Sequence, residues 1–450
     1  MTLTNFDFIS PGAPWPPEDE VRRLNIYARN DLLFDGHHDQ VFTDLNNPRA
    51  VKRISMKLNW FKRATTLFAD LLVGETPRIT ATEEDTINRL VTDNSLQLAT
   101  YTAACDIVKY GTALLKVRFD ERGIISRIPP RVWFPVVSPD DADEVTAHVL
   151  AWGVGKNYMR VEIHHRGRIE HKLFLLKDGK IDRSVSLATI SRYANLEPEV
   201  ETGISAFLVI PIHNIKGSDN YGLDDYSDMI DPVREIEKRL IRNSSILDKH
   251  EEPDMIIPAG TAEIDPLTGE AVFVGGGRYI EVDEGQAKPE LLVWDAQMVA
   301  AFKQVDALLY QLCLVSEISP AALGDLKHGI AESGSALKRL MLATLAKVNR
   351  IRLRVDPAIK HVLQTTAALE VASRMPGAMQ LTSLAIEWAD GLPADDLETA
   401  QVEKTKREAG TTSRRSSVAR LMKGATDEVI DAEVARILED EDMFTREILA

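Results

Sequence analysis

Residues 296–319 read AQMVAAFKQVDALLYQLCLVSEIS, and residues 320–334 continue as PAALGDLKHGIAESG. Apolar residues recur every three or four positions in the first segment, which predicts an amphipathic helix; they are Met298, Phe302, Val305, Leu309 and Leu312. Asp295 precedes this helix and can cap its free N–H groups, and we expect Pro320 to end it. The second segment has three glycines and little apolar pattern, so it predicts a loop.

A much longer helical pattern follows this loop and runs to about Ser373. Its apolar stripe consists of Leu337, Met341, Leu345, Val348, Ile351, Val355, Ile359, Val362 and Leu363. Pro357 interrupts the stripe, and a proline inside a helix removes a hydrogen bond and clashes with the preceding turn. We therefore expect a kink or a break there, or a new helix that starts at Asp356-Pro357.

Another amphipathic helix lies upstream, at about residues 223–248. Its stripe consists of Met229, Val233, Ile236, Leu240 and Leu247. Residues 251–294, between the two helices, hold about four short apolar runs that predict strands, with a turn at 266–269. About four short strands bury little apolar surface by themselves. We therefore expect this insert to pack against copies of itself.

The first half of the chain changes its periodicity at Thr112. Residues 1–20 contain four prolines and predict an extended arm that a neighbouring molecule holds in place. Helical patterns follow at 21–33, 51–73 and 82–111, and the last should end at Gly111. From Thr112 to about Pro211 the period is two, which predicts an antiparallel sheet and makes the chain α+β.

The C-terminal part predicts one strand near residue 385 and then three short helices. These helices are expected at 397–408, 412–422 and 427–438, and the acidic run at 439–442 is expected to form a tail. Arg414 to Lys423 is a basic stretch. Since acidic residues follow it closely, a salt-bridged surface helix is favoured over a DNA-binding segment.

The composition is that of a folded protein with two or three domains. The chain has 450 residues, of which 44% are hydrophobic and 27% are charged. We expect no secretory signal and no membrane span, because no basic and apolar leader and no sufficiently long apolar run stand out. Cys105 and Cys313 fall on apolar helical faces and are expected to be reduced, buried thiols in a protein made inside the cell.

The net charge of −16 argues against a protein that grips DNA, because gripping requires lysine and arginine to neutralise phosphates. An acidic surface is compatible with DNA that must slide past without sticking.

The sequence offers no convincing catalytic, cofactor or metal site. No phosphate-binding loop, zinc-protease motif or nucleophile elbow is present, and glycines 275–277 lie between predicted strands. Ser333 and Ser335 are better explained as helix caps than as nucleophiles served by His328. The adjacent histidines at 164–165 should point to opposite faces of a strand, and the pair at 37–38 lacks ligands at metal spacing.

The order helix, β insert, helix, glycine loop, long helix resembles the portal proteins of tailed bacteriophages, specifically the SPP1-type family of long-tailed phages. The most specific local matches are ISPAALG at 318–324 and ESGSALKRL at 332–340. The resemblance is close over 190–375 and looser over 20–190.

This resemblance implies an architecture for the whole chain. Its parts would be an N-terminal arm (1–20), a wing of helices and sheet (21–222), a first stem helix (223–250), a clip (251–294), a second stem helix (295–319), a tunnel loop (320–335), a long wing helix with a strand (336–392) and a helical crown (393–450). It also implies a structural protein with no catalytic residues and no cofactor.

The resemblance implies two functional surfaces. The tunnel loop would face DNA through Gly324, Lys327, His328, Gly329 and Gly334. The stem helices would form a subunit interface through Val233, Ile236, Leu240, Phe302, Val305 and Leu309.

The implied assembly is a dodecameric ring at the portal vertex of a virion, built in the host cytoplasm. Its implied partners are the terminase large subunit, a head completion or connector protein, the major capsid and scaffold proteins, and double-stranded DNA passing through the channel, but no membrane. Two alternatives remain open: another capsid-associated ring-forming protein without a DNA channel, and a cytoplasmic enzyme with an unrecognised site.

Overall fold

A computed structural model describes residues 3–45, 57–217, 220–251, 255–258, 263–264, 271–272, 279–282, 290–291, 298–324, 334–389, 396–422 and 425–449. Its helices are α1 Glu18–Phe34, α2 His38–Val41, α3 Trp60–Val73, α4 Glu84–Asp93, α5 Leu96–Tyr110, α6 Tyr226–Glu251, α7 Met298–Ser316, α8 Gly334–Leu340, α9 Leu342–Ala372, α10 Asp396–Glu408, α11 Arg414–Leu421 and α12 Asp427–Leu449.

The strands confirm the α+β class. They are β1 Arg78–Thr80, β2 Thr112–Asp120, β3 Arg122–Ile128, β4 Trp133–Val137, β5 Val145–Val154, β6 Tyr158–His164, β7 Arg168–Lys177, β8 Lys180–Val185, β9 Glu199–Glu201, β10 Val209–His213, β11 Ile215–Lys216, β12 Gly222–Leu223, β13 Met255–Pro258, β14 Glu263–Ile264, β15 Ala271–Val272, β16 Tyr279–Val282, β17 Glu290–Leu291 and β18 Ala385–Glu387.

The chain divides into two compact units. The first unit comprises Met1–Tyr27, Ala64–Asp225 and Glu317–Ala450, and the second unit comprises Ala28–Arg63 and Tyr226–Ser316. The first unit contains the antiparallel sheet that the period-two pattern predicts, but the sheet is split in two. A three-stranded sheet has the order β10-β2-β3, and a six-stranded sheet has the order β4-β5-β6-β7-β8 with β9 paired to β7.

The N-terminal residues lie on the larger sheet of their own chain. Leu3 forms a parallel bridge with Val136, and Gly12 N donates to the Ile181 carbonyl over 2.7 Å. Ile9 is buried in the core of this sheet, and neighbouring apolar residues pack against it, namely Leu3, Phe6, Phe8, Ala13 and Trp15. The expectation that a neighbouring molecule must order this arm is therefore wrong, because burial against the chain's own sheet does so.

The helix expected at 82–111 is interrupted. Ser95 takes a left-handed φ of +46° between α4 and α5. Asn94, just before it, accepts a 2.8 Å hydrogen bond from Ile125 N of strand β3. A long-range bond therefore fixes the break, whereas Gly111 ends α5 as predicted.

Helix α3 starts later than the apolar pattern predicts. Residues 57–59 are not helical, and residues 51–56 lie outside the described ranges. The Asn59 side chain accepts a 3.0 Å hydrogen bond from Lys62 N and satisfies one donor of the first turn.

Helix α9 is continuous across Pro357, so the expected break or new helix start at that residue is wrong. The break lies earlier, at Met341 between α8 and α9. Apolar side chains on both sides of the proline are buried, and they include Ile351, Val355, Ile359 and Val362. Helix α9 packs against strands β2, β3 and β10 through this buried side.

Helix α7 ends before Pro320, the residue expected to end it. Glu317 follows the helix with a left-handed φ of +57°, and Pro320 instead opens a short 3-10 turn that runs to Leu323. Glu317, rather than the proline, is therefore the residue at which the helix stops.

The last C-terminal helix, α12, extends further than expected. The acidic run at 439–442 belongs to α12 and is not a separate tail. The basic stretch is a salt-bridged surface helix, as predicted, because Arg415 pairs with Asp431 and Arg420 pairs with Glu403.

Two backbone segments approach each other too closely for side chains. A Cβ atom on Gly111 would lie 2.1 Å from the Gly222 carbonyl oxygen, and one on Gly222 would lie 1.8 Å from the Gly111 carbonyl oxygen. Gly111 also has a φ of +75°. Both positions therefore require glycine.

Polar side chains are buried on the face of the larger sheet that carries Arg160. Glu162 pairs with Lys116 of β2, and it lies 3.2 Å from His164 Nε2. Burial alone would raise the pKa of Glu162, but the His164 hydrogen bond and the Lys116 charge outweigh it and hold the pKa well below its ordinary value. Arg160 Nη2 donates to His171 Nδ1 over 2.7 Å.

Two histidines of the same sheet remain neutral far below their ordinary pKa. Burial lowers the pKa of His148 to about 3, and burial together with the Arg160 charge lowers that of His171 to about 4. An unfolded chain binds these protons near pH 6.5. The stability that these residues contribute is therefore complete above about pH 6.5 and is lost as the pH falls toward 4 and then 3.

We predict that His148 alone lowers the free energy of unfolding by about 2 kcal/mol when the pH falls from 7.5 to 5. His148→Gln keeps an oxygen that can accept the Trp133 Nε1 hydrogen bond, which spans 3.1 Å in the native chain. Urea unfolding at both pH values should show a smaller pH-dependent loss in the variant. The measurement at pH 7.5 gives the cost of the substitution itself, and an unchanged pH dependence would contradict the prediction.

Candidate functional site

Helix α6, the first of the two expected stem helices, is anchored by a buried carboxylate in the second unit. Glu237 Oε1 accepts a 2.8 Å hydrogen bond from Leu58 N and lies 2.6 Å from His38 Nδ1. Glu237 and His38 are both almost completely buried. This contact joins α6 to α2 and to the residues that precede α3.

Helix α7 packs alongside α6 and has two distinct apolar sides. Val305, Leu312 and Ser316 form its buried side. A second apolar stripe remains in solvent, with exposed fractions of 71% for Val299, 46% for Phe302, 61% for Tyr310 and 59% for Leu314. The exposed Lys303 and Asp306 interrupt this stripe between Phe302 and Tyr310. Isolated apolar residues on a surface are ordinary, but a stripe along one helix indicates a surface that another molecule covers.

The six residues expected at a stem interface occupy different environments. Val233, Ile236 and Val305 are buried within the chain, whereas Leu240 and Leu309 are half-buried and Phe302 is exposed. The exposed stripe of α7 therefore shares only Phe302 with the six predicted residues. Their part in a subunit interface stays a prediction.

The premise that no apolar run is long enough to span a membrane is wrong for helix α7. Helix α7 is long and apolar enough to cross a membrane by length and composition, and 11% of its apolar window is buried. Only Lys303 and Asp306 carry charge along its 19 residues. Such a helix is weak evidence for a membrane, and its exposed stripe is equally suited to another protein surface.

The predicted tunnel loop is only partly described. Gly324 is exposed with a φ of +88°, and Gly334 is the first residue of α8. Lys327, His328 and Gly329 lie outside the described residues. The same holds for the expected Asp295 cap, the turn at 266–269, the glycines at 275–277 and Ser333.

The predicted clip contains five described strands. Strand β13 pairs in parallel with β16 and antiparallel with β17, and β14 pairs with β15. The short strands expected from the apolar runs are thus present, with β14 in addition.

The histidines and cysteines are arranged as structural residues. His164 is buried, whereas the adjacent His165 is half-exposed and lies 3.0 Å from Glu170, as expected for opposite faces of a strand. Both cysteines are thiols, but they are half-buried and not fully buried as expected. Burial raises the pKa of Cys105 to about 11, so that thiol stays protonated. No cluster of three potential metal ligands occurs among the described residues.

A family model described as "Phage portal protein, SPP1 Gp6-like" matches residues 18–446. The chain belongs to the SPP1-type family of phage portal proteins. This confirms the resemblance seen in the sequence and extends it over both units. The family is a structural one. Comparison with curated proteins gave no match.

Solved structures from phage-like particles resemble this portal-family chain at low identity. The virion of a native gene transfer agent particle gives a TM-score of 0.45 at 15% identity, covering 93% of this chain and 97% of the other. The neck of that native particle, computed with C12 symmetry, gives 0.46 at 13%, covering 93% and 98%. The neck of the empty particle, computed with C6 symmetry, gives 0.47 at 14%, covering 92% and 97%.

Glu237 and His38 were missed by the sequence reasoning. Glu237 lies four residues after Val233, so it falls on the buried stripe of α6, and a carboxylate in that position was the available signal. Its partners could not be identified, since His38 is 199 residues away in the chain.

We predict that Glu237→Ala destabilises the second unit by roughly 2–4 kcal/mol, because it leaves buried donors without an acceptor. The matched control is Glu235→Ala on the same helix, where the carboxylate forms partly exposed pairs with Lys238 and Arg239. The control should cost less than about 1 kcal/mol. Urea unfolding measures both, and equal losses would contradict the anchoring role of Glu237.

Proposed function

We propose that this chain assembles into a closed ring, expected to be a dodecamer, at one vertex of a phage-like capsid. DNA would pass through the ring during packaging and ejection. The observation that carries this proposal is the portal family match over residues 18–446. The net charge of −16 supports a channel that does not hold phosphate tightly.

The exposed stripe of α7 is the proposed contact with the next subunit. Val299, Phe302, Tyr310 and Leu314 would be covered by an adjacent copy, which removes their apolar surface from water. Repeated head-to-tail contacts of this kind close into a ring when the rotation between copies fits. In this arrangement α6 and α7 form the stem around the channel.

The remaining parts of the chain are proposed to bind the assembly machinery. The clip at 251–294 would meet the terminase large subunit and later a head completion or connector protein. The wing at 21–222 and 336–392 would face the major capsid and scaffold proteins, and the crown at 393–450 would face the head interior. The ring would act in the virion after assembly in the host cytoplasm.

The loop at 320–335 is the proposed DNA-facing segment. Lys327 and His328 are the only basic residues between Gln311 and Lys338, so they would offer a weak contact to phosphate. A weak contact suits DNA that must move, since each phosphate contact made by a cation strengthens binding.

We predict that Leu314→Asp prevents ring formation, because the interface would have to bury a carboxylate without a partner. Gln311→Asp is the matched control, since it places the same charge at an exposed polar position of the same helix. Electron microscopy and mass photometry of the purified proteins measure the assembly. Rings formed by Leu314→Asp would place the subunit contact elsewhere.

The same images distinguish the runner-up function. Rings with a hole wide enough for duplex DNA agree with a portal. Rings with no such hole would instead indicate a capsid-associated structural protein that does not conduct DNA.

We predict that Lys327→Glu leaves ring assembly intact but reduces packaged or retained DNA, because the acid repels phosphate. The matched control is Lys156→Glu, which makes the same change in the exposed turn between β5 and β6. DNA length per particle is the measurement. Wild-type DNA content in the Lys327 variant would remove the loop from the DNA path.

A further inference from the structure

Two residues of the first unit flank the segment that contains α6 and α7. Asp225 immediately precedes α6, and Glu317 immediately follows α7. Both positions contact residues on the same side of α9. These α9 residues are Thr344, Lys347 and Arg350, which are spaced three apart and therefore lie close together along one side of the helix.

Thr344 bonds the backbone on both sides of Ile318. Its hydroxyl donates to the Glu317 carbonyl over 3.1 Å and accepts from Ser319 N over 2.8 Å. Thr344 is completely buried, so water does not replace these bonds. The Glu317 side chain also pairs with Arg350, six residues further along α9. These bonds hold a glutamate in the left-handed conformation that such residues rarely adopt.

Lys347 contacts both Asp225 and Glu317. Its Nζ lies 2.8 Å from Asp225 Oδ2 and 3.7 Å from Glu317 Oε2, and it lies 4.3 Å from the centre of the Phe68 ring. Asp225 is held in turn by Asn214 Nδ2, which donates to Asp225 Oδ1 over 2.7 Å. One buried ammonium group therefore contacts the last residue before α6 and the first residue after α7.

We infer that Thr344 and Lys347 are positioning residues that clamp Asp225 and Glu317 to α9. The clamp fixes the chain where it enters α6 and where it leaves α7. Its biological role rests on the proposed function, since in a ring these two positions would join the stem helices to α9. Neither residue was identified from the sequence, because each looks like an ordinary member of a helical stripe.

Hydrogen exchange on the purified full chain tests the clamp directly. Thr344→Val keeps the side-chain shape but removes the hydroxyl, so the Ser319 amide should exchange about tenfold faster. The control is Thr366→Val in the same helix, where the buried hydroxyl donates to the Val362 carbonyl over 2.7 Å. The control should leave the Ser319 rate unchanged. Equal Ser319 rates in the wild type and Thr344→Val would overturn the inference.

A pair of charge-removing variants tests Lys347 even if the single variant folds poorly. Lys347→Met leaves the Asp225 carboxylate buried without its cation, whereas Lys347→Met combined with Asp225→Asn removes both charges. The single variant should exchange faster than the double variant over residues 224–228 and 315–319. A double variant that is as destabilised as the single one would show that the pair is not coupled and would overturn the role of Lys347.

The clamp and the proposed function can fail separately. Faster exchange at Ser319 supports the clamp in the isolated protein, whatever the particles contain. Particles built with Thr344→Val then report on function through ring formation and DNA length. Particles with normal rings and normal DNA length would not contradict the clamp. They would contradict the idea that the clamp contributes to packaging.

Discussion

The buried side of α9 is the constraint on which the first unit depends. The four buried apolar residues that flank Pro357 each contribute about 1.5–3 kcal/mol, and an interior proline costs about 3 kcal/mol, so burial outweighs the proline. The helix therefore stays continuous and presents one uninterrupted side to strands β2, β3 and β10. The same side carries Lys347, whose charge is held among apolar neighbours because Asp225 lies 2.8 Å away.

Periodicity predicted most elements of the fold, and it failed where a distant contact overrode a local signal. Pro357 is a strong local signal for a break, yet packing against a sheet formed far earlier in the chain overcomes it. Asn94 and Ser95 are turn-favouring residues that the helical pattern passed over, and the bond from Ile125 N to Asn94 stabilises the break there. Glu317 ends α7 because α9 holds it, and no rule applied to residues 296–320 alone contains that information.

The sequence predicted the elements around the candidate site but not the contacts that hold them. Helices α6 and α7 and the β insert follow from spacing, and the family follows from the order of elements with two short matches. The residues that anchor them are polar groups paired over long intervals, such as Glu237 with His38, and Glu162 with Lys116 across 46 positions. Hydrophobic patterning finds a buried stripe but does not reveal which charged residue on it has a partner.

The contact between Gly111 and Gly222 has a consequence for how the gene tolerates mutation. Any single-base change that replaces a glycine codon by another amino acid adds at least a Cβ atom, and neither position has room for one. A second change elsewhere cannot compensate easily, because the obstructing atoms are backbone carbonyl groups and not side chains that can be shortened. In a library selected only for folding, we expect both codons to remain glycine while exposed turns nearby diversify.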